Sequence, residues 1–136
     1  MTPKKRMIYL ALASAILAAT ALACGTGYQT SSKILGNSGE VRVKMKDPSG
    51  TNSTSVEIYE DWSWETISTT ATLSLETGRC QATLSGDDGN VLILEAAAGN
   101  PAKATGILVT DSFGEIDLET DCPGGQNFDL LIAFSR

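Results

Sequence analysis

Residues 71–94 read ATLSLETGRCQATLSGDDGNVLIL, and this stretch decides the fold. Apolar and polar residues alternate over 71–76 and again over 80–85, as they do in β-strands with one buried face. GDDGN at 86–90 predicts a hairpin turn, because Gly, Asp and Asn tolerate positive φ angles. VLIL at 91–94 is continuously apolar, which predicts a strand buried on both faces.

The same pattern continues on both sides of this stretch. Five more strands are predicted, four from period-two alternation and one from a second continuously apolar run. These lie at 41–46, 56–59, 107–109, 116–119 and 128–134. A turn signal, DPSG at 47–50, separates the first two of them. About eight short strands at roughly 8–12-residue spacing, with no sustained helical period, are typical of an all-β sandwich or barrel. We therefore predict a single antiparallel β-sandwich, jelly-roll or immunoglobulin-like, over residues 40–136.

The first 24 residues have a different composition. A basic stretch at 4–6 precedes an uncharged, Ala- and Leu-rich run at 7–23, and Cys24 follows. A basic start, an apolar centre and small residues at the cut are the parts of an export signal. ALAC at 21–24 resembles the cleavage site of bacterial lipoproteins. The resemblance implies that residues 1–23 are a cleaved signal helix and that Cys24 carries lipid. It also implies a protein anchored to a membrane on the extracytoplasmic side, at the outer surface or in the periplasm.

Two alternatives stay open for this segment. Ala21 and Ala23 also satisfy the ordinary small-x-small cleavage rule, which would give a soluble secreted protein with a free thiol at Cys24. The apolar run of about 17 residues is short for a retained transmembrane anchor, which needs roughly 20. Residues 24–39 are rich in Gly, Ser and Thr. This composition predicts a flexible tether between the membrane and the sandwich.

The chain has three cysteines, Cys24, Cys80 and Cys122. An odd number leaves one thiol over in an exported protein, and lipid on Cys24 would leave the other two to pair. Strand parity places Cys80 and Cys122 on the core-facing side of their strands, and an oxidising compartment permits a disulfide there. Two buried, unpaired thiols are the alternative.

The net charge of the mature chain limits the classes of partner that it can bind. All 16 acidic residues and 7 of the 10 basic residues follow residue 23, so the mature net charge is −9. Such a surface repels nucleic acid and anionic membranes, and it tolerates cations and basic partners. The chain has no histidine, which excludes the usual Ser-His-Asp and Cys-His arrangements and the usual zinc sites.

Two tryptophans lie among carboxylates between the second and third predicted strands, and these residues are a candidate glycan site. They are Trp62 and Trp64, with Glu57, Glu60, Asp61 and Glu65 around them. Aromatic rings stack on the apolar face of a sugar, and two suitably spaced carboxylates can hydrolyse a glycosidic bond. The alternative is that Trp62 or Trp64 fills the core while the acids face water.

Acidic residues in and after the hairpin turn suggest calcium, for which carboxylate and amide oxygens are suitable ligands. The first set is Asp87, Asp88 and Asn90. The second set is Asp111, Glu115, Asp117, Glu119 and Asp121. Turn formation and a solvated strand face are the alternatives. Apart from calcium, we expect no cofactor.

The segment 72–134 is similar to secreted β-sandwich modules of the pre-peptidase C-terminal kind. The similarity rests on the Leu-x-x-Gly step at 75–78 and on the strands at 114–118 and 128–134. It implies a β-sandwich and no catalytic residue. The sequence as a whole predicts a lipid-anchored cell-envelope protein with a non-catalytic binding or structural domain, and a glycan or protein partner in the envelope. The alternatives are a small carboxylate-dependent glycan hydrolase, which the small size and missing histidine disfavour, and a calcium-stabilised adhesion module.

Overall fold

A computed structural model of the protein describes residues 27–136 as nine antiparallel strands. They are β1 Gln29–Leu35, β2 Ser38–Met45, β3 Thr51–Glu57, β4 Thr66–Ser74, β5 Arg79–Ser85, β6 Val91–Ala97, β7 Ala102–Val109, β8 Glu115–Asp121 and β9 Phe128–Ser135. This part of the chain contains no helix long and apolar enough to cross a bilayer. The predicted signal peptide 1–23 and the predicted lipidation site Cys24 lie outside the described residues.

The strands form two sheets that pack face to face. One sheet has the order β1-β2-β9-β4-β7, and the other has the order β3-β8-β5-β6. From β2 to β9 the chain changes sheet at every connection except the β5–β6 hairpin. This is the pair of Greek keys that makes a jelly roll, whereas an immunoglobulin-like sandwich pairs its strands in a different order. The predicted all-β sandwich is therefore confirmed, in its jelly-roll form.

The alternating sequence pattern positions the core between the sheets. In β2 the side chains of Val41, Val43 and Met45 are buried, and those of Arg42 and Lys44 between them are exposed. The other alternating strands repeat this arrangement, so their apolar residues converge on one continuous core.

The two strands that were predicted to be buried on both faces are edge strands. β6 and β7 each end one of the two sheets, and only their inner faces contact the core. Val91 and Ile93 are each 51% exposed, and Ile107 is also exposed. The prediction was wrong because a short apolar run does not reveal whether a second layer covers its outer face.

The predicted tether 24–39 is corrected over its described part. Gln29–Leu35 pairs with β2 as strand β1, and the turn between them has Gly36 at a φ of 63°. Glycine at the first position of a two-residue hairpin turn is the arrangement that a type II′ turn uses. β1 buries little side-chain area, so hydrogen bonds to β2 hold it, and a composition rich in Ser and Thr gave no sign of this pairing.

The predicted disulfide is confirmed. Cys80 and Cys122 are bonded, both side chains are buried in the core, and they lie 42 residues apart in the chain. They flank the last β5–β8 pair, Gln81 and Asp121, because Cys80 directly precedes Gln81 and Cys122 directly follows Asp121. The bond therefore joins the β3–β8 half of its sheet to the β5–β6 half.

The two long sides of the sandwich differ. On the side that we call the closed side, β6 lies against β7. Gly106 of β7 leaves room there for the Leu92 side chain of β6, whose Cδ2 would lie 2.5 Å from a Cβ on that glycine. On the other side, which we call the open side, the five-stranded sheet ends in β1 and the four-stranded sheet ends in β3. Within residues 27–136, β1 and β2 make no comparable approach to β3.

Candidate functional site

Two loops at one end of the sandwich form a connected surface, residues 59–65 and 110–114, which we call the loop surface. The backbone N–H of Trp64 donates to the Asp111 carbonyl at 3.0 Å. The Ser63 hydroxyl donates to the Ser112 carbonyl at 2.8 Å. Gly114 packs so closely on the Tyr59 carbonyl that a Cβ would lie 1.9 Å from that oxygen. The first loop is therefore held by the second.

Trp62 anchors the loop surface in the core. Its side chain is 2% exposed and makes edge-to-face contacts with Tyr59 and Phe134, with ring centroids 5.7 and 5.8 Å apart. The Arg136 guanidinium lies 4.8 Å from the centroid of the Trp62 ring, and it also pairs with Glu65 at 3.1 Å. This is the core alternative that the sequence left open, so Trp62 has no ring face free for a ligand.

Trp64 has the opposite environment. Its side chain is 65% exposed, and its backbone φ is 50°. A bulky residue in the left-handed region is an outlier that costs about 1–3 kcal/mol. Phe113 on the partner loop is 71% exposed, so both loops of this surface carry an aromatic side chain in solvent. Phe113 was not predicted as a site residue, although a bulky aromatic inside the turn-forming run DSFG was a usable signal.

The carboxylates near Trp64 have different partners. A hydrogen bond with Asp61, followed by the charge of that carboxylate, raises the pKa of Tyr59 above its usual value. Asp111 Oδ1 accepts from the backbone N–H groups of Phe113 at 2.8 Å and Glu115 at 3.0 Å. Glu60 is exposed on the loop.

The remaining predicted acid of this group lies elsewhere. Glu57 is on the outer face of β3, where it is paired in register with Glu115 of β8. The structure therefore brings together five of the six predicted glycan-site residues and places one of those five, Trp62, inside the core.

A second concave region lies on the open side. It is a cleft of about 450 Å³ between the inner face of β1 and the edge of β3. Its floor is apolar and consists of Val41, Met45, Val56 and Leu118. Its walls carry hydroxyl and amide groups from Tyr28, Thr30, Ser32, Asn52, Thr54 and Thr120. A volume of this size is within the range of small-ligand sites.

Thr120 is the residue of the cleft with a buried hydroxyl that lacks a hydrogen-bond partner among the described residues. Its side chain is 2% exposed. Leaving a buried hydroxyl unpaired costs about 1–3 kcal/mol, so such a group calls for a reason. Tyr28 at the rim is half-buried, and this burial raises the pKa of its hydroxyl, while the neighbouring Thr54 hydroxyl acts in the lowering direction.

The predicted calcium residues act as turn residues. In the β5–β6 hairpin, the side-chain amide of Asn90 donates to Asp88 Oδ2 at 2.7 Å, and its backbone N–H lies 3.3 Å from Oδ1. Asp87 is held by its own backbone N–H, which donates to the Val109 carbonyl at 2.8 Å.

The second acidic set is divided between two places. Asp111 belongs to the loop surface, and Asp117, Glu119 and Asp121 follow one another along the outer face of β8. Among the residues that the structure describes, no three of His, Cys, Asp or Glu are grouped as a metal site requires.

Comparisons with known proteins concern the fold alone. No family model matches the chain, and no curated protein matches it. Among solved structures, it is similar to an oxalate oxidase in complex with the substrate analogue glycolate, with 12% identity and a TM-score of 0.47. That match covers 83% of this chain and 53% of the other, so the chain spans about half the length of that enzyme.

A carbohydrate-binding module of Cellvibrio mixtus lichenase 5A, solved with cellotriose, is also similar. It is 16% identical with a TM-score of 0.36, and the match covers 81% of this chain and 87% of the module. A structure described as CBM4 has 10% identity and a TM-score of 0.36, with coverage of 85% and 82%.

Proposed function

We propose that this chain is an exported cell-envelope protein, anchored to a membrane by lipid on Cys24, whose jelly-roll domain binds a glycan without catalysing a reaction. The observation that carries the binding function is Trp64, an exposed tryptophan held in a strained backbone conformation. The anchor is supported by the basic start, apolar run and ALAC sequence of residues 1–24.

The strain at Trp64 supports a ligand that needs this ring. Strained conformations persist only where the surroundings enforce them, and they cluster at binding and catalytic sites. Here the hydrogen bond to Asp111 and the buried Trp62 two residues earlier fix the loop. An exposed ring on a rigid support offers a flat apolar face to a sugar at little entropic cost, because few side-chain rotors remain to be ordered.

The polar neighbours of Trp64 suit the hydroxyl groups of a glycan. Carboxylates are strong hydrogen-bond acceptors, and Glu60 and Asp61 are exposed on the same loop as Trp64. Three acids of the surface are already engaged, since Asp61 is hydrogen-bonded to a tyrosine hydroxyl, Glu65 is in an ion pair and Asp111 accepts from its own turn. Structural partners of this kind support binding over hydrolysis, which needs two carboxylates free to act on one bond.

The test is binding of the purified chain to insoluble peptidoglycan, chitin, cellulose and xylan, with Trp64→Gly as the variant. Glycine accepts a φ of 50° without strain, so we expect this variant to unfold at a higher temperature while losing glycan binding. Leu35→Ala, which removes another exposed apolar side chain, is the matched control and should bind normally. Unchanged binding by Trp64→Gly, or no binding to any glycan by the parent chain, would refute the proposal.

The anchor is tested separately, by the intact mass of the exported protein with and without Cys24→Ser. Lipid adds the mass of its acyl chains to a protein that begins at Cys24, and the serine variant loses that mass. A mature protein with a free Cys24 thiol, or one that keeps residues 1–23, would contradict the lipid anchor and leave the glycan test unaffected.

A further inference from the structure

The cleft on the open side lies where the four-stranded sheet is one strand shorter than the sheet that covers it. The inner face of β1 carries Thr30 and Ser32, which pair in register with the buried Val43 and Val41 of β2. Both hydroxyl residues are nevertheless exposed, because no strand of the opposite sheet lies beneath them within residues 27–136. The space beside β3 therefore has the position that a fifth strand of that sheet would take.

The free edge of β3 presents backbone groups that point into this space. Two hydrogen bonds mark the ends of the β3–β8 ladder. At one end the backbone N–H of Cys122 donates to the Gly50 carbonyl at 3.1 Å, and at the other the backbone N–H of Ile58 donates to the Gly114 carbonyl at 3.0 Å. Bonded pairs alternate along an antiparallel ladder, so the even-numbered residues of β3 turn their N–H and C=O groups to β8. The groups of Ser53 and Ser55 turn to the open edge, where no described strand pairs with them and the Thr54 hydroxyl makes a long contact of 3.4 Å to the Ser55 carbonyl.

Charge favours a basic occupant on the outer side. Ser53 lies opposite Glu119 of β8, and Ser55 lies opposite Asp117. The serine side chains are short, so a lysine on an added strand can extend over them toward these two carboxylates. None of the described residues that line the cleft is basic, so such a lysine meets no like charge there.

The interior of the cleft favours small apolar or hydroxyl side chains. Its floor is apolar, and the unpartnered Thr120 Oγ1 is the one buried polar group there that lacks a hydrogen bond among the described residues. A hydroxyl side chain on an added strand can satisfy that oxygen, and a valine can pack beside it on Leu118.

We propose that the cleft takes an extended peptide as a fifth strand of the sheet β3-β8-β5-β6, paired antiparallel with the Ser53–Ser55 edge. Its basic side chains lie on the outer face, and its small apolar or hydroxyl side chains point inward. Strand addition of this kind draws affinity from main-chain hydrogen bonds and specificity from alternate side chains. The site is separate from the loop surface, so the Trp64→Gly variant should bind the peptide as the parent chain does.

The probe is the fluorescein-labelled, amidated peptide Lys-Val-Lys-Thr-Lys-Val-Lys, measured by anisotropy with the full chain. We expect binding that weakens with added salt and disappears when glutamate replaces every lysine. In the paired strand the backbone N–H groups of the lysines face β3, and those of the Val and Thr residues face away from it. Methylating the lysine backbone nitrogens should therefore weaken binding about tenfold or more, and methylating the Val and Thr nitrogens should change it little.

Variants of the chain test the same contacts from the other side. Ser55→Pro removes an edge N–H donor and should weaken binding about tenfold, whereas Ser55→Ala keeps that donor and should bind normally. Thr120→Val should abolish the preference for Thr over Val at the centre of the peptide. If Ser55→Pro does not fold, the methylated peptides carry the test with the parent chain.

Three results would overturn the proposal. One is equal affinity for the two methylated peptides, which would mean that no strand pairing occurs. Another is no binding of the parent peptide at millimolar concentration. The third is a dimer of the chain that Ser55→Pro dissolves while no peptide binds, which would identify a second copy as the occupant.

Discussion

The closed side and the open side of the sandwich are bounded by strands of similar length, yet their interiors differ. On the closed side, Gly106 admits the Leu92 side chain and the two sheets meet through β6 and β7. On the open side, hydroxyl residues of β1 and the free edge of β3 line a cleft of about 450 Å³. One sealed side and a central core therefore hold this jelly roll together, while the other side stays open.

The disulfide connects the two halves of the four-stranded sheet, and its removal should lower the stability of the domain more than any other change considered below. Cys80 lies on the closed half of the four-stranded sheet, and Cys122 follows β8 on the open half. For a loop of this length the chain-entropy model gives roughly 4 kcal/mol. We expect the variant Cys80→Ala/Cys122→Ala to melt about 15 °C lower or more.

The measurement is thermal unfolding followed by circular dichroism, with and without reductant. Reductant should lower the melting temperature of the parent chain and leave that of the double variant unchanged. An unchanged melting temperature of the parent, or two free thiols in its mass spectrum after export, would contradict the role given to this bond. Amide exchange should rise most in β3, since β8 is its one partner among the strands of residues 27–136.

The sequence could predict those strands and contacts that depend on the burial of side chains. The strands β2, β5 and β8 bury alternate side chains, so their period-two sequence pattern predicted them. The same pattern placed Cys80 and Cys122 on the buried side, and the disulfide between them was predicted for that reason. β1 was missed because backbone pairing holds it while its side chains stay exposed, and the cleft was missed because it arises from the overhang of one sheet over another.

The two tryptophans show the same limit at the loop surface. Trp62 and Trp64 are two residues apart, so in a strand both would share a face. The positive φ of Trp64 turns the chain there, and one ring enters the core while the other remains in solvent. Composition marked the region as a candidate site, but only the tertiary contacts with Asp111 and Phe134 separate the anchor from the exposed ring.

A methyl group added to the closed side should have the next largest effect. The Cβ of Gly106→Ala would lie 2.5 Å from Leu92 Cδ2, so the end of the Leu92 side chain must shift at the margin of the core. Because a flexible side chain can give way, we expect a cost in the lower part of the overpacking range, about 1–2 kcal/mol. Thr30→Val on the open side replaces a hydroxyl with a methyl group in an exposed position, and it should change the free energy of unfolding by less than about 0.5 kcal/mol.

Urea unfolding of both variants gives these values directly. Adding Leu92→Val to the Gly106→Ala chain should restore part of the lost stability, because it removes volume from the same contact. Equal costs for Gly106→Ala and Thr30→Val would contradict the distinction between a sealed side and an open one.

The smallest expected effect compares two unpartnered hydroxyls. Thr69 of β4 and Thr120 of β8 are both buried, and the Oγ1 of each lacks a hydrogen-bond partner in the described structure. Thr69 is paired with Gly106 at the closed side, whereas Thr120 lines the cleft. Replacing an unpaired buried hydroxyl with a methyl group of similar shape is stabilising, and we expect a gain of up to about 1 kcal/mol for Thr69→Val.

Thr120→Val should gain less than Thr69→Val, because water entering the cleft can satisfy the Thr120 hydroxyl in the parent chain. Urea unfolding of the two variants measures the difference. A gain for Thr120→Val as large as that for Thr69→Val would mean that the cleft keeps water from Thr120. The hydroxyl would then be as sealed as its counterpart on the closed side, and the distinction between the two sides would not extend to the interior.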